Sequence, residues 1–314
     1  MEQLTVNTKS KPRLDSFIIG AMPTLSLGKL NKYLRENKIK VNGKKIALSE
    51  RLDFGDEVKL YLPIVQQPQY PFLNSKDELD IVFEDSNTLI VQKNAGLVTQ
   101  DEMNVQCDTL INRVYKYLYN KGEYAPDTCE FPPRLCHRLD TGTSGLVILA
   151  KCAESEHLLL DLIEKRKIKK EYVCVTLGIP KPASGTLSGY LIKDQEQGHV
   201  QIRDNQCKNS KQIITEYRTI CTSGHLALLN VNLVTGRTHQ IRAHLASIGC
   251  PILGDSKYGN NAANRAYRLR YQALCAYRIT FPNLDGTCLE ALSNECYVAK
   301  KPWYYEQMTE KILR

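Results

Sequence analysis

The residues best suited to chemistry lie together in one stretch, His137-Arg138-Leu139-Asp140-Thr141-Gly142-Thr143-Ser144-Gly145. Asp140 is a single carboxylate in a loop of small residues, with an arginine two positions before it. A carboxylate so placed can attack an electrophilic carbon or take a proton. It can also share a proton with a second aspartate, as in an aspartic protease, but that chemistry needs two carboxylates. Asp-Thr-Gly occurs once in the 314 residues, which excludes a two-lobed protease, and a single-lobed, dimeric protease has a far shorter chain. A plain turn whose aspartate accepts backbone amides is the remaining alternative. The apolar run Leu146-Val147-Ile148-Leu149-Ala150 leaves the loop at once. Bounded by glycine and too short for most helices, it predicts a strand buried on both faces, with Asp140 at the rim of a sheet.

Other segments carry groups that chemistry could use. Lys169-Lys170-Glu171-Tyr172-Val173-Cys174-Val175 reads as a strand, where a tyrosine is as often core as functional. In Thr235-Gly236-Arg237-Thr238-His239-Gln240-Ile241-Arg242-Ala243-His244-Leu245 the polar residues are too dense for a plain core helix. His239 and His244 are five apart, wrong for two ligands on one helical face, so no metal site is expected. Pro251 to Gly259 is a turn-rich strap, and no phosphate loop or dinucleotide fingerprint occurs.

Composition frames these motifs. A net charge of +8 permits a polyanionic partner, and the 11 cysteines are odd in number with no Cys-x-x-Cys pair, which argues against a disulfide framework or zinc site. Cys136, Cys152, Cys174 and Cys221 read as reduced core residues. The first eleven residues lack an apolar h-region and no run approaches membrane-spanning length, so a cytoplasmic protein is expected. Residues 1–11 read as a flexible arm and 12–62 as a small domain. The latter has helical spacing through Leu27, Leu30 and Leu34, a strand entering Asn42-Gly43, and a closing strand from Gly55 to Tyr61. Between Lys29 and Lys45 stand seven Lys or Arg against one acid, Glu36; a solvated helix face is the ordinary reading of such a run. Proline-bearing residues 63–76 read as a linker, and 77–314 as the second domain. Strands are expected at 80–85, 88–93, 146–150, 171–178, 199–203, 212–220, 226–233 and 272–280. Helices are expected at 108–119 and after an N-cap at Ser155. Few strand–helix–strand alternations appear, so the fold class is α+β with a mixed, largely antiparallel sheet.

The nonapeptide from His137 to Gly145 resembles the signature of RluA-like pseudouridine synthases of the large-ribosomal-subunit type. The segments around Tyr172, Arg242, Gly254 and Gln272–Arg278 match the same family in the expected order, so the resemblance runs from about residue 80 to the C-terminus. It implies the pseudouridine synthase fold and isomerisation of uridine in structured RNA, ribosomal first and transfer RNA second, by a monomer without a cofactor. Asp140 is then catalytic, Arg242 its charge partner, and Tyr172 an active-site residue that would stack on uracil and help remove the proton at carbon 5. A guanidinium beside a carboxylate favours its ionised form. Uracil in a stem must be flipped out; Arg138 would fill the gap with help from His137. Thr143 and Leu274 would contact substrate, and Arg237, His239 and Lys257 would bind RNA. The basic run 165–170 and Arg265, Arg268 and Arg270 would hold phosphates.

Residues 12–62 resemble a small α/β RNA-binding module first described in a small-subunit ribosomal protein, with Lys29, Lys32, Arg35 and Lys44 facing RNA. Three positions depart from these patterns: Leu27 after Ser26 where a basic residue is usual, Asn94 in place of a proline, and Cys275 in place of a histidine. The rival from another class is a non-catalytic RNA-binding or assembly factor that keeps the fold; the intact trio Asp140, Tyr172 and Arg242 argues against it.

Overall fold

A computed structural model describes residues 2–8, 10–22, 25, 27–61, 70–101, 107–193 and 199–313. Ser26, Leu62 and residues 63–69 of the expected linker lie outside them. The chain divides into two compact units, residues 1–76 with 101–112, and residues 77–100 with 113–314.

The first unit contains β1 (Glu2–Thr5), α1 (Leu14–Ala21), α2 (Leu27–Arg35), β2 (Ile39–Val41) and β3 (Glu57–Leu60). Its sheet has the order β1-β3-β2, antiparallel throughout. The expected flexible arm is corrected here: residues 2–5 pair with residues 57–60, and Val6 is fully buried. The alternation Leu4-Thr5-Val6 is a strand signal too short to stand out in a polar context. After β2 the chain turns through Asn42 and Gly43, both at positive φ (48° and 80°), the backbone of a tight hairpin turn. Leu14, Ile18, Leu30, Ile39, Leu52, Val58 and Leu60 close a small core. Lys29, Lys32 and Arg35 stay exposed on α2, and Lys44 in the turn.

The remaining elements are β4 (Asp80–Glu84), β5 (Thr88–Lys93), α3 (Leu110–Lys121), β6 (Arg134–Leu135), β7 (Ser144–Ala150), α4 (Ala153–Glu164), β8 (Lys169–Leu177), β9 (Ser184–Lys193), β10 (Val200–Arg203), β11 (Lys211–Ser223), β12 (Leu226–Leu233), α5 (Gln240–Ser247), α6 (Asn261–Ala266), β13 (Leu274–Thr280), β14 (Cys296–Val298) and α7 (Trp303–Thr309). The second unit's sheet runs β10-β9-β11-β12-β8-β13-β7-β5-β4, with β14 on β13 and β6 on β7. Every neighbouring pair among the described residues is antiparallel except β13 with β7. The class is therefore α+β, mixed and mostly antiparallel.

From Gly145 onward β7 is buried along its whole length, as its unbroken apolar run requires. Ile90, Leu146, Ile148, Val173, Val175, Leu228 and Cys275 form the centre of the core, closed by Leu159 of α4 and Tyr304 and Met308 of α7. Two expectations differ. Cys152, not Ser155, caps α4; Ser155 is buried inside the helix, its hydroxyl 2.7 Å from the Asn87 carbonyl and 2.9 Å from that of Cys152. The strand β9 is absent from the expected strands: its start, Ser184-Gly185-Thr186, is rich in small polar residues and carries no strand signal. It forms because β10 and β11 pair with it on both sides.

Candidate active site

Asp140 stands in the loop just before β7, and its side chain is 29% exposed. The loop is held from behind. Its Leu139 carbonyl accepts the Thr99 hydroxyl (2.6 Å), and the Asp140 carbonyl accepts the Thr143 N–H (2.9 Å). The Thr141 carbonyl accepts the Gly96 N–H (2.7 Å) and the Lys93 ammonium (3.2 Å). With these backbone acceptors occupied, the carboxylate is presented on a fixed support rather than on a mobile turn. Gly145 makes the next step possible. At φ 117° a Cβ would meet the Ala276 carbonyl at 2.2 Å, so only glycine lets β7 and β13 approach in their parallel pairing.

Arg242 projects from α5 and donates through Nη1 to Asp140 Oδ2 at 2.8 Å. The rest of its guanidinium is gripped by Asp255, with Nε to Oδ2 at 2.7 Å and Nη2 to Oδ1 at 2.9 Å. Asp255 is fully buried and also takes the Lys257 and Tyr258 N–H groups at 2.8 and 3.0 Å. Burial works against the charge on Arg242, but the bonds and charges of Asp255 and Asp140 outweigh it and raise its pKa. A planar, doubly bonded guanidinium thus addresses Asp140 from one direction only.

Tyr172, in the middle of β8, is nearly buried; burial first, and then the charges of Asp140 and Cys275, push its phenol well above the usual range. Lys93 ends β5 fully buried, its ammonium on the carbonyls of Asn94 (3.1 Å), Leu97 (2.7 Å) and Thr141. Burial pushes Lys93 down to about 7, against the pull of Asp140.

The structure brings Asp140, Arg242 and Tyr172 into one neighbourhood, with Leu274 buried at the start of β13 and Arg138 exposed two positions before Asp140 in the chain. Lys257 lies in the strap after Asp255, and Arg237 is exposed just before α5. His239 is largely buried, with Nδ1 at 2.9 Å from the Tyr258 hydroxyl and Nε2 at 3.8 Å from Asp140 Oδ2. Two expected substrate contacts, Thr143 and His137, make hydrogen bonds within the protein. Thr143 is buried and its hydroxyl accepts from Gln272 Nε2 at 3.1 Å, so it braces the loop. His137 accepts the Ile148 N–H at Nε2 (3.2 Å), and burial together with Lys170 holds its imidazole neutral.

The helix α5 is also more buried than its polar sequence suggests. Gln240, Arg242 and His244 are all buried, and each has its partners. Sequence reasoning missed Lys93, Thr99, Gln272 and the role of Asp255. A lysine closing the buried run Thr88-Leu89-Ile90-Val91-Gln92-Lys93 was the one readable signal. Among the described residues no cluster of His, Cys, Asp and Glu could hold a metal ion, and no helix is long and apolar enough to cross a membrane.

Residues 87–247 match the family model of RNA pseudouridylate synthases. The chain is 34% identical over 273 residues to a ribosomal large subunit pseudouridine synthase C of Rickettsia bellii, covering 82% of this chain and 86% of that one. It is 30% identical over 304 residues to an uncharacterized RNA pseudouridine synthase of Mycoplasma genitalium, covering 93% and 94%. The fold is shared with human RNA pseudouridylate synthase domain containing 4, at a TM-score of 0.58 and 23% identity over 74% of this chain and 92% of that one.

Proposed function

The chain belongs to the RNA pseudouridylate synthase family, and from that premise we propose that it converts particular uridines of structured RNA to pseudouridine, with Asp140 as the catalytic carboxylate. The observation that carries this reading is the Asp140–Arg242–Asp255 chain: a part-exposed carboxylate oriented by a guanidinium that a buried carboxylate fixes. The reaction detaches uracil from its sugar, turns it, and rejoins it through carbon 5. The proton leaves carbon 5 and nitrogen 1 gains one, so the isomerisation balances without a cofactor. Asp140 serves it either by attacking the substrate covalently or by removing a sugar proton. A phenol held protonated by burial is a poor base near neutrality, so Tyr172 is given the stacking role under the uracil. Arg138, exposed next to the site, fills the space of the flipped base.

Large-subunit ribosomal RNA is the leading substrate, in keeping with the name of the Rickettsia relative, and transfer RNA is second. The exposed Lys29, Lys32, Arg35 and Lys44 of the first unit act as an RNA anchor in this reading, with Arg237 and Lys257 as contacts nearer the site. The enzyme then works as a cytoplasmic monomer. The test is tritium release from uracil carbon 5 of labelled ribosomal and transfer RNA. Wild-type protein should release tritium, and Asp140→Asn should abolish release while keeping RNA affinity. Absence of release from both RNAs points to the non-catalytic RNA-binding protein, and wild-type turnover by Asp140→Asn removes Asp140 from the chemistry.

A further inference from the structure

We propose that His239, its tautomer set by Tyr258, is a positioning residue that presents an N–H to Asp140 Oδ2, leaving Oδ1 as the oxygen that meets the substrate. This rests on the synthase reading of the site. Three contacts carry it. The Tyr258 oxygen accepts the Val200 N–H at 2.9 Å and lies 2.9 Å from His239 Nδ1. On the other side of the ring, His239 Nε2 faces Asp140 Oδ2 at 3.8 Å. Oδ2 is also the oxygen that Arg242 bonds, and among the described residues no hydrogen bond reaches Oδ1.

The proton placement follows from these contacts. A neutral imidazole has one N–H and one lone pair. If Nδ1 carried the hydrogen, the Nε2 lone pair would face a carboxylate oxygen, which is repulsive. If Tyr258 donates to Nδ1, the hydrogen sits on Nε2 and points at Asp140. Burial pushes the Tyr258 phenol up, so it keeps a proton to donate. Burial is also the main influence on His239 and pushes its imidazole down; Arg242 and Lys257 act the same way, and Asp140 and Asp255 oppose them. Those four residues, with His199 tilted against the Tyr258 ring at 5.5 Å between centroids, are the charged and titratable groups around the pair among the described residues. The 3.8 Å gap is longer than a hydrogen bond. A closure of under an ångström on substrate binding makes His239 a second donor to the same oxygen.

The backbone supports a placed side chain. His239 sits at φ 54°, ψ 16°, in the left-handed region, where histidine is enriched with asparagine and aspartate among non-glycine residues, at the N-cap of α5. Its side chain makes no capping bond there, and its Nδ1 contact is with Tyr258.

The experiment compares wild-type protein with Tyr258→Phe, His239→Gln and His239→Ala. Single-turnover tritium release is followed from pH 5 to 9 on labelled large-subunit ribosomal RNA, and RNA affinity is measured separately. Tyr258→Phe removes the donor to Nδ1 and leaves only the Asp140 repulsion to favour Nε2–H, so its rate should fall at high pH by up to about tenfold, the limit set by losing one donor to a charged group. The rate should recover towards wild type at low pH, where imidazolium carries both N–H groups. His239→Ala should lose rate at every pH, His239→Gln should recover part of it through its amide N–H, and RNA affinity should stay constant in all three. Nitrogen NMR of histidine-labelled protein, with His239→Gln for assignment, should show the Nε2–H tautomer in wild type and a mixture in Tyr258→Phe. That spectrum needs no turnover, so it judges the tautomer even if the synthase reading fails. An Nδ1–H tautomer in wild type, or a Tyr258→Phe loss equal at all pH values, overturns the proposal. A loss of RNA affinity in His239→Ala with an unchanged rate at saturation assigns His239 to RNA binding instead.

Discussion

Asp255→Asn isolates the group that holds Arg242 against Asp140 without touching the substrate side. Asp255 is fully buried, and it bonds Arg242 twice at 2.7 and 2.9 Å. An asparagine keeps the shape and one acceptor for the Lys257 and Tyr258 amides, but turns an NH2 group towards a guanidinium. Two charge-assisted bonds are lost or weakened, at about 1.5–3 kcal/mol each. Breaking a buried ion pair from one side costs about 3–5 kcal/mol, so the two routes agree. Set against a typical stability of about 5–15 kcal/mol, the folded state survives in most of that range. Catalysis should suffer separately: a guanidinium without its second anchor tilts, and a misplacement of about an ångström costs about a hundredfold. The pH dependence adds a check. Burial pushes the Asp255 carboxyl up, but the Arg242 bonds and charge, with the Tyr258 and Lys257 amides, more than reverse that and hold it below the usual aspartate range. A carboxyl lowered on folding stabilises the native state above the unfolded pKa, and that contribution is lost as pH falls through the folded one. The gap between wild type and variant in urea unfolding should therefore be full at pH 7 and shrink below about pH 4. A variant within about 0.5 kcal/mol of wild type at pH 7, with unchanged single-turnover rate, would refute the reasoning.

Lys93→Met should slow turnover by loosening the Asp140 loop. It should also remove a rise in wild-type stability between about pH 7 and 10.5, since an amine lowered on folding binds fewer protons there than in the unfolded chain; urea unfolding at several pH values checks the slope. Arg138→Ala should reduce single-turnover rate more on a folded stem than on a short unstructured strand, and equal losses would make it a phosphate contact. Replacing Lys29, Lys32 and Arg35 by Gln together should leave the rate at saturating enzyme intact. It should lower the slope of log affinity against log salt by roughly two to three, as three lost phosphate contacts require; an unchanged slope removes α2 from the RNA interface.

The sheet was legible because its strands carry continuous apolar runs, and a run such as Leu146–Ala150 has one stable place, a doubly covered strand. The exceptions have physical causes. The strand β9 draws its stability from two neighbours rather than from its own side chains, and β1 is four residues of pairing in a polar context. In the site, Asp140, Arg242 and Tyr172 were singled out by the resemblance of their segments to a family's motifs, whereas type and spacing alone left Tyr172 as often core as functional. Residues that work through position were not singled out. Thr99 and Gln272 act through single hydrogen bonds to a loop distant in sequence, and nothing local marks a threonine or glutamine for that. The internal hydrogen bonds of Thr143 and His137 were unreadable for the same reason, since their neighbours in the motif say nothing about which way each side chain turns.

The density of polar residues in α5 has a geometric purpose. A short helix lying on a sheet can rotate about its axis, and apolar contacts alone resist that weakly because they are non-directional. Here Gln240 donates to the Ile214 carbonyl at 3.0 Å and the Thr215 hydroxyl at 2.9 Å, while its own oxygen accepts the Thr235 hydroxyl and the Arg237 N–H. One turn later His244 Nδ1 meets the same Thr215 hydroxyl at 2.9 Å. These two residues, four apart, lie on one helical face and pin it to β11. Arg242, two positions from each, must then point away from β11, towards Asp255 and Asp140. A rotation that misdirected Arg242 would leave Gln240 and His244 buried without partners, at about 1–3 kcal/mol for each group. The orientation of the arginine is thus fixed at both ends, by Asp255 on its guanidinium and by a hydrogen-bonded helix face on its backbone. A packed apolar helix of the same length would hold the fold equally well and leave the guanidinium free to wander.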